Sequence, residues 1–180
     1  MATISRNDLH QFARDHIRWV STVIAKSLPQ TWYPQLMVMV EDSSGVRSIE
    51  LQTILGAFNG QPEKHQTLQS IGAAFARQRK CVIAVAFSCE AWLSKDPQPG
   101  QEPKDGPLRQ EILLVGVVSC QREACVAQGA FQRAEGKIAS VEFGELKTEG
   151  VTFPLLHQFF IGYLRAATMR PRGIPAFSAN

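Results

Sequence analysis

Residues 80–93 read KCVIAVAFSCEAWL, and residues 109–120 read RQEILLVGVVSC. These are the two longest runs rich in apolar and β-branched side chains, a composition that favours β-strands. Side chains that alternate along a strand lie on opposite faces of a sheet. In the first run the two expected sets are Cys81, Ile83, Val85, Phe87, Cys89, Ala91 and Leu93, and Val82, Ala84, Ala86, Ser88, Glu90 and Trp92. We therefore expect a pair of strands that is buried on both faces except at its polar end.

The small side chains of Ala84 and Ala86 predict which face of the strand a helix covers. A helix approaches a sheet closely where the side chains between them are small. We expect a helix over this half of the strand and place Glu90 beyond that helix, near an edge.

Three other stretches have the apolar spacing of helices. In the first, Ser5 stands three residues before Asp8 as a capping signal, and apolar residues recur from Leu9 to Ile24. Helices are predicted over residues 7–26, 62–78 and 154–167. The last is apolar on most sides, so we expect the sheet or another subunit to cover it.

Short apolar runs predict the remaining strands, at residues 35–41, 46–52, 125–132 and 138–143. The last two form a hairpin whose turn needs a positive φ at Gly136. The fold class is therefore α+β, with one mainly antiparallel sheet of about six strands, three helices and the order α-β-β-α-β-β-β-β-α.

The length of 180 residues fits one domain, which we place at residues 1–167. Residues 168–180 contain two prolines and few apolar residues and are expected to form a loosely ordered tail. Residues 94–107 contain four prolines and are expected to form a mobile, solvated loop.

Composition argues against several classes of protein. The chain is 44% hydrophobic, and its net charge is only +3, which argues against nucleic acid as a partner. No stretch reaches the roughly 18 apolar residues that span a bilayer, and the N-terminus lacks a signal sequence. A cytoplasmic protein without membrane contact is the expectation. The cysteines lack metal-type spacing and are expected to be reduced and mostly buried.

The charged residues Glu90, Arg109 and Glu111, together with Trp92, form the candidate site. If the two strands pair, an arginine with two carboxylates can act as a substrate clamp with a general acid or base, because crowded carboxylates shift each other's pKa. The alternative is a cross-strand ion pair with Trp92 stacked on the guanidinium. We favour this structural interpretation because no nucleophile with an adjacent base accompanies the cluster.

The same two segments carry a resemblance. Residues 87–92 (FSCEAW) and 107–111 (PLRQE) resemble a pattern in small uncharacterised bacterial and phage-associated proteins, where a strand ends in Ser-Glu-Ala-Trp and a loop leads to Pro-x-Arg-x-Glu. The resemblance covers roughly residues 62–145 and departs at Cys89, where serine is usual. It implies a shared fold and no assigned activity.

Other chemistry has little support in the sequence. The histidines are interpreted as surface or helix-flank residues, although a composite metal site from His65, His157 and Cys89 stays open. Glycine-rich nucleotide loops and a nucleophile elbow are absent, and no cofactor is expected. Arginines 165, 170 and 172 could contact phosphates, but a solvated cationic end is the simpler interpretation.

Two functions follow as hypotheses. The first is a non-enzymatic module that self-associates through the C-terminal helix or binds a partner, with Trp92 as a candidate binding residue. The second is a small hydrolase-like or nucleic-acid-processing enzyme with Glu90, Arg109 and Glu111 as its candidate catalytic residues. We prefer the first.

Overall fold

The computed structural model describes residues 3–52, 61–94 and 109–169. Three helices and six strands follow one another in the predicted α+β order, which confirms the fold class. The predicted tail beyond residue 169, and almost all of the predicted loop at 94–107, lie outside the described residues. The elements are α1 (Arg6–Ser27), β1 (Gln35–Asp42), β2 (Gly45–Gln52), α2 (Gln61–Arg77), β3 (Cys81–Ser94), β4 (Arg109–Ser119), β5 (Ala124–Ala134), β6 (Lys137–Phe143) and α3 (Pro154–Thr168).

The six strands form one antiparallel sheet with the order β2-β1-β3-β4-β5-β6. The predicted strand pair therefore lies at its centre, with β3 between β1 and β4. In the β3–β4 register, Ala84 lies opposite Ser119 and Trp92 lies opposite Glu111. The polar ends of both strands consequently meet at one end of the sheet.

The predicted alternation along β3 is wrong at Val82 and Ile83. Beside β3, Met39 of β1 lies opposite Ala84, whereas Val40 lies opposite Val82, so Ile83 is an extra residue in the pairing. An irregularity of this kind, a β-bulge, reverses the faces of the side chains on one side of it. Val82 therefore packs with Val85 on one face, and Ile83 packs with Ala84 on the other.

Helix α1 covers one face of the sheet at the small side chains, as predicted. Ala84 and Ala86 are completely buried in a cluster with Leu9, Phe12 and Ala13 of α1. The helix starts as predicted too, because the backbone N–H of Asp8 donates to Ser5 Oγ at 3.1 Å. Burial of these side chains supplies the hydrophobic free energy that holds α1 on the sheet.

Helices α2 and α3 cover the opposite face. Leu156, Phe159 and Phe160 of α3 are buried in one cluster with Leu68 of α2 and Phe87 of β3. The apolar character of α3 is thus explained within one chain, by the sheet and by α2. None of the described helices is long and apolar enough to cross a membrane.

Helices α2 and α3 touch backbone to backbone at two glycines. A Cβ atom at Gly162 would come to 2.0 Å from the carbonyl oxygen of Gln69, and one at Gly72 to 2.0 Å from that of Phe159. Carbon and oxygen atoms cannot approach so closely, and backbone atoms cannot move aside as a flexible side chain can. The distance between the two helices therefore depends on glycine at both positions.

We expect Gly162→Ala to lower the free energy of unfolding by about 3 kcal/mol, because overpacking outweighs the gain of about 1 kcal/mol in helix propensity. The measurement is urea denaturation. Gly144→Ala is the matched control, since its Cβ would meet only the Gln128 carbonyl oxygen at 3.7 Å. Equal stability of the two variants would contradict the close approach of the helices.

Candidate functional site

The predicted cluster lies at the end of the sheet where β3 ends and β4 begins. Glu90 lies opposite Leu113, Trp92 opposite Glu111, and Ser94 opposite Arg109. Leu113 is buried beside residues near the C-terminal end of α1. The structure therefore brings the sequence-predicted residues into one region, just beyond the end of α1.

The arginine that binds the carboxylates is Arg133 of β5, which lies just beyond the strand predicted at residues 125–132. Its Nη2 lies 2.7 Å from Oε1 of Glu111, and its Nε lies 2.9 Å from Oε2 of the same side chain. This is a two-point, charge-assisted pair, the geometry that a planar guanidinium favours. The Nη2 atom is also 4.0 Å from Oε1 of Glu90. Arg133 thus takes the role that was expected of Arg109.

Arg109 instead lies on Trp92. Its guanidinium carbon is 5.4 Å from the centre of the indole ring, within the range of a cation–π contact. The predicted stacking of Trp92 on a guanidinium is therefore confirmed. The Trp92 side chain stays 43% exposed, which places this pair at the surface.

The segment that leaves α1 is hydrogen bonded to the same cluster. The backbone N–H of Trp32 donates to Oε1 of Glu90 at 2.5 Å, and the indole N–H of Trp32 donates to Oγ of Ser88 at 3.2 Å. Arg133 Nη1 donates to the carbonyl oxygen of Gln30 at 2.8 Å. The charged cluster therefore fixes the α1–β1 connection against the sheet.

Burial raises the pKa of Glu90 above its usual value, and the neighbouring negative charge of Glu111 adds to that rise. The Trp32 N–H and the Arg133 charge act in the opposite direction. Glu90 keeps 25% of its side chain exposed. The arrangement can bind a proton more readily than an exposed glutamate, and one carboxylate oxygen is already engaged by Trp32.

The other candidates do not form a reactive site. Burial is the main cause that raises the pKa of the Cys89 thiol to about 11, which keeps it protonated and weakly nucleophilic at neutral pH. No group of three metal-binding side chains occurs among the residues that the structure describes, so His65, His157 and Cys89 do not converge. All four cysteines are free.

One histidine differs from its predicted surface position. His16 of α1 is completely buried, and neither ring nitrogen has a hydrogen-bond partner. Its ring stacks on Trp19 at 5.5 Å, and Trp19 in turn meets Trp32 edge-on at 6.1 Å. Burial lowers the pKa of His16 to about 4, so the ring is neutral at pH 7.

We expect Arg133→Ala to lower the free energy of unfolding by about 1–2 kcal/mol, because the Glu111 carboxylate and the Gln30 carbonyl oxygen lose their donor and Glu90 loses a nearby positive charge. Arg18→Ala is the matched control and should cost no more than about 0.5 kcal/mol, because its ion pair with Asp15 at 3.1 Å is exposed. Urea denaturation of both variants gives the comparison. A loss in Arg133→Ala no larger than that in Arg18→Ala would contradict the structural role of Arg133.

His16 makes folding stability depend on pH. Its pKa is about 4 in the folded chain and about 6.5 when unfolded, so the unfolded chain binds the extra proton first as pH falls. Stability should decrease by about 3 kcal/mol as pH falls from about 6.5 to about 4. The loss should be absent in His16→Leu, which fills a similar volume. Denaturation of both proteins across this pH range is the test, and parallel profiles would refute the role of His16.

Comparisons of the chain with protein-family models, with curated proteins and with solved structures found no match. The function is therefore inferred from the contacts, burial and charges of the described residues.

Proposed function

We propose that this protein is a non-enzymatic binding module that acts by self-association or by binding a partner protein. The observation that carries the proposal is that the charged side chains at the sheet end are engaged in hydrogen bonds within the fold. Arg133 bridges Glu111 and Gln30, and Glu90 accepts from the backbone of Trp32. These groups support the sheet end, which makes them poor candidates for catalysis.

The same sheet end provides a surface suited to a partner. Trp92 is 43% exposed, and Tyr33 is 70% exposed. Tyr33 lies at this end because Gln35, two residues later, pairs with Ser88. Exposed tryptophan, tyrosine and arginine are the side chains that contribute most to protein interfaces. This supports Trp92 as a binding residue, with Arg109 beside it.

The exposed part of α3 supports self-association through the C-terminal helix. Most of the apolar face of α3 is covered by α2 and the sheet, but Leu164 is 38% exposed and Met169 is 80% exposed. Both lie at the C-terminal end of the helix. We propose that copies of the chain meet there.

The enzymatic alternative is favoured by one observation, the raised pKa of Glu90. Such shifts cluster at catalytic sites, but structural ion-pair networks also produce them. Here burial and Glu111 explain the shift, and Glu90 already has a structural hydrogen bond. The alternative, with Glu90 and Glu111 as acid and base, therefore ranks second.

The proposal includes a cytoplasmic location and a protein partner in preference to nucleic acid. The support is the small net charge of +3, which gives little attraction to a phosphate backbone. A relation to bacterial or phage-associated proteins is also part of the proposal and is supported by the two short segments at the polar strand ends.

Self-association is tested by sedimentation velocity over a wide range of protein concentration. We expect the weight-average sedimentation coefficient to rise with concentration and expect Leu164→Ser to weaken association by about tenfold, the effect of about 1.4 kcal/mol at an interface. Leu28→Ser is the matched control, since Leu28 is similarly exposed, at 44%, but lies at the C-terminal end of α1, away from α3 in the sequence. A monomer at every concentration would remove self-association and leave only partner binding.

A further inference from the structure

A cleft with an apolar floor lies between the first half of α1 and the β1–β2 hairpin. Its volume is about 440 Å³, and its floor contains Phe12, Met39 and Ile83. The cleft exists because α1 packs mainly over β3 to β6 and extends little over the hairpin. Val46, which lines the hairpin side, is 58% exposed. An open apolar cleft of this size can accept a few side chains.

The rim of the cleft is acidic. Asp8, Asp15 and Glu41 line it, and neither lysine nor arginine occurs among its described lining residues. Arg18 lies 3.1 Å from Asp15, but both side chains are at least half exposed, and such pairs are weak and screened by salt. The cleft is therefore apolar at its floor and negative at its rim, in a chain whose net charge is +3.

The C-terminal end of the chain has the complementary character. From residue 154 onward the sequence contains three arginines and neither aspartate nor glutamate. The last turns of α3 expose Leu164 and Met169, and the cationic Arg165, which lies between them in the sequence, is exposed too. This surface combines apolar side chains with positive charge, and Arg170 and Arg172 follow directly in the sequence.

We propose that residues 164–169 of one copy bind in the acidic cleft of a second copy. This rests on the proposed self-association and names its two surfaces. Helix α3 packs on one face of the sheet, and the cleft opens on the face that α1 covers. The two surfaces of one chain therefore point away from each other and can both be used by neighbouring copies.

The contact joins two different surfaces, so each copy can bind one neighbour at its cleft and another at its helix end. Association of this head-to-tail type produces rings or open chains, in contrast to a two-fold dimer. The cleft accepts only a few side chains, so the contact is small and weak. Its strength should fall at high salt, because the rim charges are exposed.

Two variants separate the two surfaces. Ser48→Trp fills the cleft with a bulky ring, since Ser48 is an exposed lining residue on the edge strand β2. Arg165→Glu reverses the charge at the helix end. Each variant alone should be monomeric at concentrations where the original protein associates. Ser140→Trp, at an exposed position on the other edge strand, β6, is the control and should associate normally.

The decisive experiment mixes the two variants in equal amounts and measures sedimentation velocity at about 0.05 M and about 0.5 M salt. Ser48→Trp keeps its helix end and Arg165→Glu keeps its cleft, so together they should form a complex of two chains that does not grow further. This complex should weaken by about tenfold or more at the higher salt. A mixture that stays monomeric would overturn the proposal.

Two other results separate failure of this contact from failure of self-association itself. If the original protein is monomeric at all concentrations, both are overturned. If it associates and Ser48→Trp associates equally well, only the proposed contact is overturned.

Discussion

Strand β3 is apolar on both of its faces, and the rest of the structure depends on covering both. A strand of this kind cannot lie at the surface of a two-layer protein, because one face would remain in water. The chain supplies α1 for one face and the α2–α3 pair for the other. The alanines at 84 and 86 admit α1 closely, whereas Val85 and Phe87 provide the larger contact surface for the opposite layer.

The polar end of β3 begins where α1 ends, and the two features are connected. Ser88 and Glu90 face the segment that leaves α1, and both accept hydrogen bonds from Trp32. Trp32 is only 5% exposed, so its N–H groups need acceptors within the protein. The charged side chains that first suggest an active site thus form hydrogen bonds with the backbone of the segment that leaves α1. Arg133 completes this arrangement by holding Glu111 and the Gln30 carbonyl together.

The order and approximate bounds of helices and strands could be predicted from the sequence because each depends on local periodicity and turn residues. Gly136, for example, adopts the positive φ of 76° that its turn requires. The bulge at Ile83 could not be found this way, since it exists only in relation to the partner strand β1. The burial of His16 could have been predicted from the sequence, because its position falls on the apolar face defined by Phe12, Ala13 and Val20.

The candidate site was predicted in its location and partly in its contacts. Trp92, Arg109 and Glu111 meet because β3 and β4 are joined in sequence and pair directly. Arg133 was missed because its contact with Glu111 depends on how far the β5–β6 hairpin extends. Pairing of Ile112 with Ala130 sets the register that brings Arg133 within reach of Glu111. A diagonal neighbour on the next strand becomes visible only once that register is known.

The glycine contact between α2 and α3 limits which sequences can adopt this fold. Side chains on the outer surfaces of the helices can change freely, but Gly72 and Gly162 are each fixed by a backbone carbonyl of the opposite helix. A remote relative that keeps this fold would retain glycine at both positions even after most other similarity had disappeared. The pair is therefore a sequence requirement of the fold, and it joins two segments that lie far apart along the chain.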